Sequence, residues 1–204
     1  NAQAYDWAMP VANTLVADAA NWVQALADIA AAVGAITGAA APVAGNANSA
    51  EAQAIAKSLT GGERKAILLG NAAAHHAKAS SLLSLANWIG AQTGATVGYL
   101  GEAANTVGAQ VVGALPKAGG QNAGQMLAGG LKAVVLLNTE PAFDAANGAA
   151  AAQAIGQAEM VVTLSPFKAN MDISDVLLPI SPFTETAGTF INTEGRAQSF
   201  HGVV

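Results

Sequence analysis

Short apolar runs, each bounded by turn signals, constrain this chain more than any other feature. They are Ala66-Ile67-Leu68-Leu69, Thr96-Val97-Gly98-Tyr99-Leu100, Val134-Val135-Leu136-Leu137, Met160-Val161-Val162-Thr163-Leu164 and Asp175-Val176-Leu177-Leu178, the last closed by Pro179. Runs this short do not make stable helices. Their apolar residues are consecutive rather than alternating, which suits strands covered on both faces. Helix-prone stretches lie between them. One is predicted from His76 to Gln92, with Leu82, Leu83, Leu85, Trp88 and Ile89 facing inward and Gly94 as its stop. A second spans Ala145 to Ala158. Strands alternating with helices imply right-handed crossovers and a parallel sheet. The predicted class is α/β: a doubly wound, mostly parallel sheet of about five strands, flanked by helices.

The segments before and after this alternation read differently. Trp22, Leu26, Ile29 and Val33 share one helical face, with Asp18 as a candidate cap and Gly34 and Gly38 as stops. Residues 38–50 are rich in Ala, Gly, Pro and Asn and read as a linker. A short helix is expected from Glu51 to Leu59, capped by Ser49 and ended by Gly61-Gly62. The tail holds Pro182, Gly188, Gly195 and Gly202 and is expected to be mostly irregular. The expected organisation is therefore a helical extension and linker over 1–60, a Rossmann-like domain over 61–180 and a C-terminal tail over 181–204.

Composition excludes several classes of function. Hydrophobic residues reach 52%, yet aromatics are only 5%, so alanine and not lipid-facing bulk supplies the count. The charge-free stretches Ile29–Ala50 and Ala79–Gly101 are broken by Gly, Pro, Asn, Ser and Gln, so no transmembrane segment or direct membrane insertion is expected. Net charge is −5 and no Lys/Arg stripe exists, which disfavours nucleic acid as a partner. There is no cysteine, so these residues form no disulfide and no thiolate-held metal or iron–sulfur site. Charged residues are 10% against a usual share of about 25%, which fits a surface partly covered by a partner and equally an alanine-rich composition from a GC-rich genome. The chain begins with Asn1-Ala2, which reads as a piece excised from a longer protein.

Ligands of open α/β sheets bind at the carboxyl ends of the strands. The candidate residues there are Gly70, Asn71 and His75 after the first run, Asn138 and Glu140 after the third, Ser165 after the fourth, and Glu185, Asn192, Glu194 and Arg196 in the tail. The known signatures fail. Gly70 stands alone, so no G-x-G-x-x-G cradles a pyrophosphate, and Gly108–Gly113 is followed by Ala114 where a P-loop needs Lys. The adjacent His75 and His76 do not share a helical face, so they do not make a metal pair. Glu185, Glu194 and Arg196 lie near enough to orient a substrate, although an ion pair pinning the tail is the plainer reading. Neither a nucleophile system nor a metal site is visible.

The tail carries a long ordered motif. Ser174-Asp175-Val176-Leu177-Leu178-Pro179 is followed by Phe183-Thr184-Glu185-Thr186-Ala187-Gly188-Thr189-Phe190-Ile191-Asn192-Thr193-Glu194-Gly195-Arg196-Ala197-Gln198. This resembles the signature of the molybdopterin oxidoreductase superfamily, which includes formate dehydrogenases, nitrate reductases and the large iron–sulfur subunit of respiratory NADH:quinone oxidoreductase. Asp6–Pro10, Arg64–Asn71, Thr106–Ala109 and Pro182–Thr189 look most like that last branch, in its bacterial form.

The resemblance implies a subunit of respiratory complex I, cytoplasmic and peripheral to the inner membrane. Iron–sulfur clusters would lie upstream in the parent chain and carry electrons from NADH toward quinone. Its partners would be the rest of its own subunit and neighbouring peripheral-arm subunits. Departures from the superfamily pattern imply that this part binds no cofactor and has no catalytic residue. Where molybdenum enzymes carry G-x-N-P, this chain has Asn138-Thr139-Glu140-Pro141, and Leu164-Ser165 replaces an acidic strand end. Only Asn192, Glu194, Gly195 and Arg196 keep the pattern near the pterin side, so the ten candidate residues read as a vestigial cleft. The alternative is a fragment of a molybdopterin-dependent formate dehydrogenase or nitrate reductase that contributes to the cofactor cleft. A module binding another small molecule or nucleotide there is a third reading.

Overall fold

The computed structural model describes residues 1–203 as two compact units, Asn1–Ala103 and Ala104–Val204 apart from its last residue. In the first, a 3-10 turn (Ala19–Asn21) leads into helix α1 (Trp22–Thr37), and α2 (Ala50–Gly61) follows the linker. Asp18 flanks the turn without a side-chain capping bond. Ser49 caps α2 as its position predicts, its Oγ accepting from Ala52 N at 3.3 Å. The Asp28 carboxylate accepts from Asn46 N at 2.7 Å and from Gln24 Nε2 at 2.9 Å, tying the linker to α1. Strand β1 (Ala66–Leu69), the single turn α3 (Asn71–Ala74), α4 (Ala79–Thr93) and β2 (Thr96–Tyr99) complete the unit. β1 and β2 pair in parallel, Ala66 opposite Thr96.

Helix α4 begins at Ala79, three residues later than predicted, because His76–Lys78 form a turn of their own. Leu82, Leu85 and Ile89 are buried as expected, whereas Leu83 and Trp88 are half-buried. Gly94 ends the helix with φ +73°, a left-handed conformation that glycine adopts without Cβ strain. The core joins Ala30, Ala32 and Val33 of α1, Ala52 and Ala56 of α2, and Leu85 and Ile89 of α4. Alanine dominates these contacts, and small side chains let helices pack at the close end of the usual 8–10 Å range. The segment Ala19–Thr37 is long and apolar enough to cross a membrane by length and composition, but its Ala30, Ala32 and Val33 lie in this core.

The second unit opens with the short helices α5 (Thr106–Val111) and α6 (Ala123–Met126). Strand β3 (Ala133–Leu137), α7 (Pro141–Asp144), α8 (Gly148–Ile155), β4 (Met160–Ser165) and β5 (Val176–Pro179) follow. The parallel order is β3-β4-β5, with Val135 opposite Val162 and Val162 opposite Val176. The helix predicted over Ala145–Ala158 is shorter, because Asn147 caps it at Ala150 N. One sheet face packs Leu136, Val161 and Ile155 of α8 into a small core.

The α/β class with parallel sheets and flanking helices is as the sequence indicates. The five parallel-paired strands fall into sheets of two and three. The tail is more regular than expected, since β6 (Gly188–Ile191) and β7 (Ala197–Phe200) form an antiparallel hairpin. Phe190 and Phe200 meet edge to face at 5.0 Å, and Thr189 and Ser199 hydroxyls are 2.9 Å apart across the strands. A Cβ at Gly188 would stand 2.7 Å from the Phe200 ring, so the glycine makes room for that pair.

Candidate functional site

The structure places the ten candidate residues in three groups. Gly70, Asn71 and His75 follow β1. Gly70 has ordinary extended backbone, and a Cβ there would meet nothing within 4 Å, so no close approach requires glycine. Asn71 Nδ2 donates to Glu102 Oε2 at 2.6 Å, which ties the turn after β1 to the segment after β2. His75 is exposed, and its backbone N donates to Asn71 O at 3.0 Å. An apolar cavity of about 320 Å³ lies beside this turn, lined by Trp22, Leu26, Ile29, Leu69, Gly70 and Ala73.

Asn138, Glu140 and Ser165 gather at the carboxyl ends of the adjacent strands β3 and β4. Asn138 adopts φ +49°, a conformation that Asn tolerates better than most residues. Its replacement of a glycine therefore keeps a left-handed turn available. The Asp144 carboxylate reaches back over α7, with Oδ2 accepting from Glu140 N at 2.7 Å and Thr139 Oγ1 at 3.0 Å. Asn170, itself at φ +57°, donates from Nδ2 to Thr139 O at 2.9 Å and so ties the β3 and β4 loops together. Ser165 is buried, and its Oγ accepts from Phe167 N at 3.1 Å.

Asn192, Glu194 and Arg196 form the turn of the β6–β7 hairpin, and Glu185 lies in a 3-10 turn before it. Asn192 Oδ1 accepts from Glu194 N and Arg196 N, both at 3.0 Å. This amide pins the turn, the role expected of an ion pair of Arg196 with Glu185 or Glu194. Side chain to backbone bonds need no long side chains held in one geometry, which makes them the cheaper fastening. Asn105 Oδ1 accepts from Ile191 N at 2.9 Å and holds the hairpin to the start of α5.

Glu102, Asn105, Asp144 and Asn170 were missed by the sequence reading. Asp144 had a readable signal: an acid one turn after a helix-opening Pro can satisfy the first free amide. Glu102 and Asn170 act across 31 residues, and no local pattern marks them. Among the described residues no group of three His, Cys, Asp or Glu is arranged to hold a metal.

The model of the molybdopterin oxidoreductase family matches residues 52–204, and the chain belongs to that family. No curated protein matches the chain. The family name implies a pterin cofactor bearing phosphate. Three strand-end donors are committed within their own units: Asn71 to Glu102 in the first, and Glu140 N and Thr139 to Asp144 in the second. In the second unit Glu140 and Asp144 place two acidic residues at the end of β3, where a phosphate would need positive charge or free amides. The end of β3, with its amide and hydroxyl taken by Asp144, does not fit a phosphate-bearing group.

Proposed function

We propose that this chain is a non-catalytic structural part of the large iron–sulfur subunit of a bacterial NADH:quinone oxidoreductase. It supports electron transfer carried by clusters elsewhere in the parent protein. Its neighbours are the rest of that subunit and adjoining peripheral-arm subunits, on the cytoplasmic side of the inner membrane. The observation that carries this reading is the commitment of the strand-end donors to the chain's own carboxylates. Asp144 takes both the Glu140 amide and the Thr139 hydroxyl, which a nucleotide phosphate would otherwise use. The oxidoreductase family and the sequence blocks at Asp6–Pro10, Arg64–Asn71 and Pro182–Thr189 support the same assignment.

Metal analysis and acid extraction of the purified chain test it: neither molybdenum nor a fluorescent pterin should appear, and stoichiometric pterin would overturn it. The retained Asn192, Glu194, Gly195 and Arg196 favour a second reading, a fragment of a working molybdopterin enzyme. Formate- or nitrate-dependent electron transfer by the parent protein would establish that reading in its place. Thermal-shift screening covers a nucleotide-binding module, since a ligand at 100 times its Kd adds about 2.7 kcal/mol.

A further inference from the structure

His76 lies between the start of α4 and the start of α1, outside every group described so far. Its two ring nitrogens face partners of opposite kind. Lys78 N donates to Nδ1 at 3.0 Å, at the amino terminus of α4. Nε2 lies 3.0 Å from Ala19 O, in the 3-10 turn ahead of α1. An amide only donates and a carbonyl only accepts, so the geometry selects the neutral ring with its proton on Nε2. The ring also stacks on Trp22 at 5.7 Å and 25°, and Trp22 Nε1 donates to Ala17 O at 2.8 Å.

We infer that His76 is a protonation-sensitive latch joining the starts of α1 and α4. A proton on Nδ1 puts two donors face to face and ends the bond from Lys78 N. Lys78 and His75 are the other titratable residues of this turn. Asp18 flanks the 3-10 turn that carries Ala19, and the Trp22 face lies against the ring. Asp28 is the one titratable residue of α1 and is held by Gln24 and Asn46, while α3 and α4 have none. The bond from Nε2 to Ala19 O survives protonation. Acid therefore releases the α4 side of the latch and leaves the α1 side in place. The released turn follows Ala73, whose carbonyl accepts from His76 N at 3.4 Å.

Nuclear magnetic resonance of the full chain between pH 7.5 and pH 5.0, the range of histidine chemistry, tests this. At the upper pH the ring should show the Nε2–H tautomer. On acidification the protection of the Lys78 amide, corrected for intrinsic exchange, should fall at least about tenfold while the Trp22 indole stays protected. In H76N an uncharged carbonyl oxygen can accept from Lys78 N, and protection should stay level across the range. An Nδ1–H tautomer, a level wild-type profile, or an equal fall in H76N would overturn the latch.

Discussion

The two units bury apolar surface in different ways. In the first, three helices close around small residues, and Ala30, Val33, Ala52, Ala56 and Ile89 are almost wholly buried. In the second, a three-stranded parallel sheet is covered on one face only. Val135 and Leu137 stay 67% and 65% exposed on the other face, beside Leu178 at 46%. Parallel sheets are ordinarily covered on both faces. The comparison teaches that helices with small side chains can seal a core with little bulk, whereas strands of Val and Leu remain half-solvated until something covers their second face.

Substitutions can break or sharpen that contrast. The largest effect is expected inside the helical core, where Ile89→Ala should cost roughly 2–5 kcal/mol in denaturant unfolding. A cost below 1 kcal/mol would mean that the alanine-rich core is looser than its burial indicates. Next comes the covered face of the sheet. Thr163 is fully buried and its hydroxyl lies 2.7 Å from that of Ser174, so Thr163→Val should cost about 1–3 kcal/mol by leaving Ser174 without its partner. Smallest is the open face, where Leu137→Thr should change stability by no more than about 0.5 kcal/mol. A larger loss there would show that this face is buried in solution and would erase the contrast.

Local signals in the sequence carried much of this fold. Ser49, Gly94 and the apolar runs each act within a few residues, through a hydroxyl at a free amide, a left-handed stop and strand-length continuity. The division of five strands into two sheets was not legible, because it depends on which distant strands pair, and all the runs look alike. The hairpin was missed for a related reason. Gly188 and Gly195 read as loop formers, yet Gly188 makes room for Phe200 and Gly195 sits at φ +80° in the turn. At the candidate site the residue types were readable and their partners were not. Asn71 gave no hint of Glu102, and Asn138 marked the left-handed turn only as a departure from glycine.

The hydrogen bond from Ile191 N to Asn105 spans 86 residues. Closing a loop costs entropy that grows as about (3/2)RT ln n, so this link is among the more expensive in the chain to form early. The hairpin turn held by Asn192 can assemble from neighbours alone. Its docking onto α5 costs less loop entropy once β3, β4 and β5 have shortened the path between the two ends. The family's signature segment is thus shaped by near neighbours and fastened by a distant one.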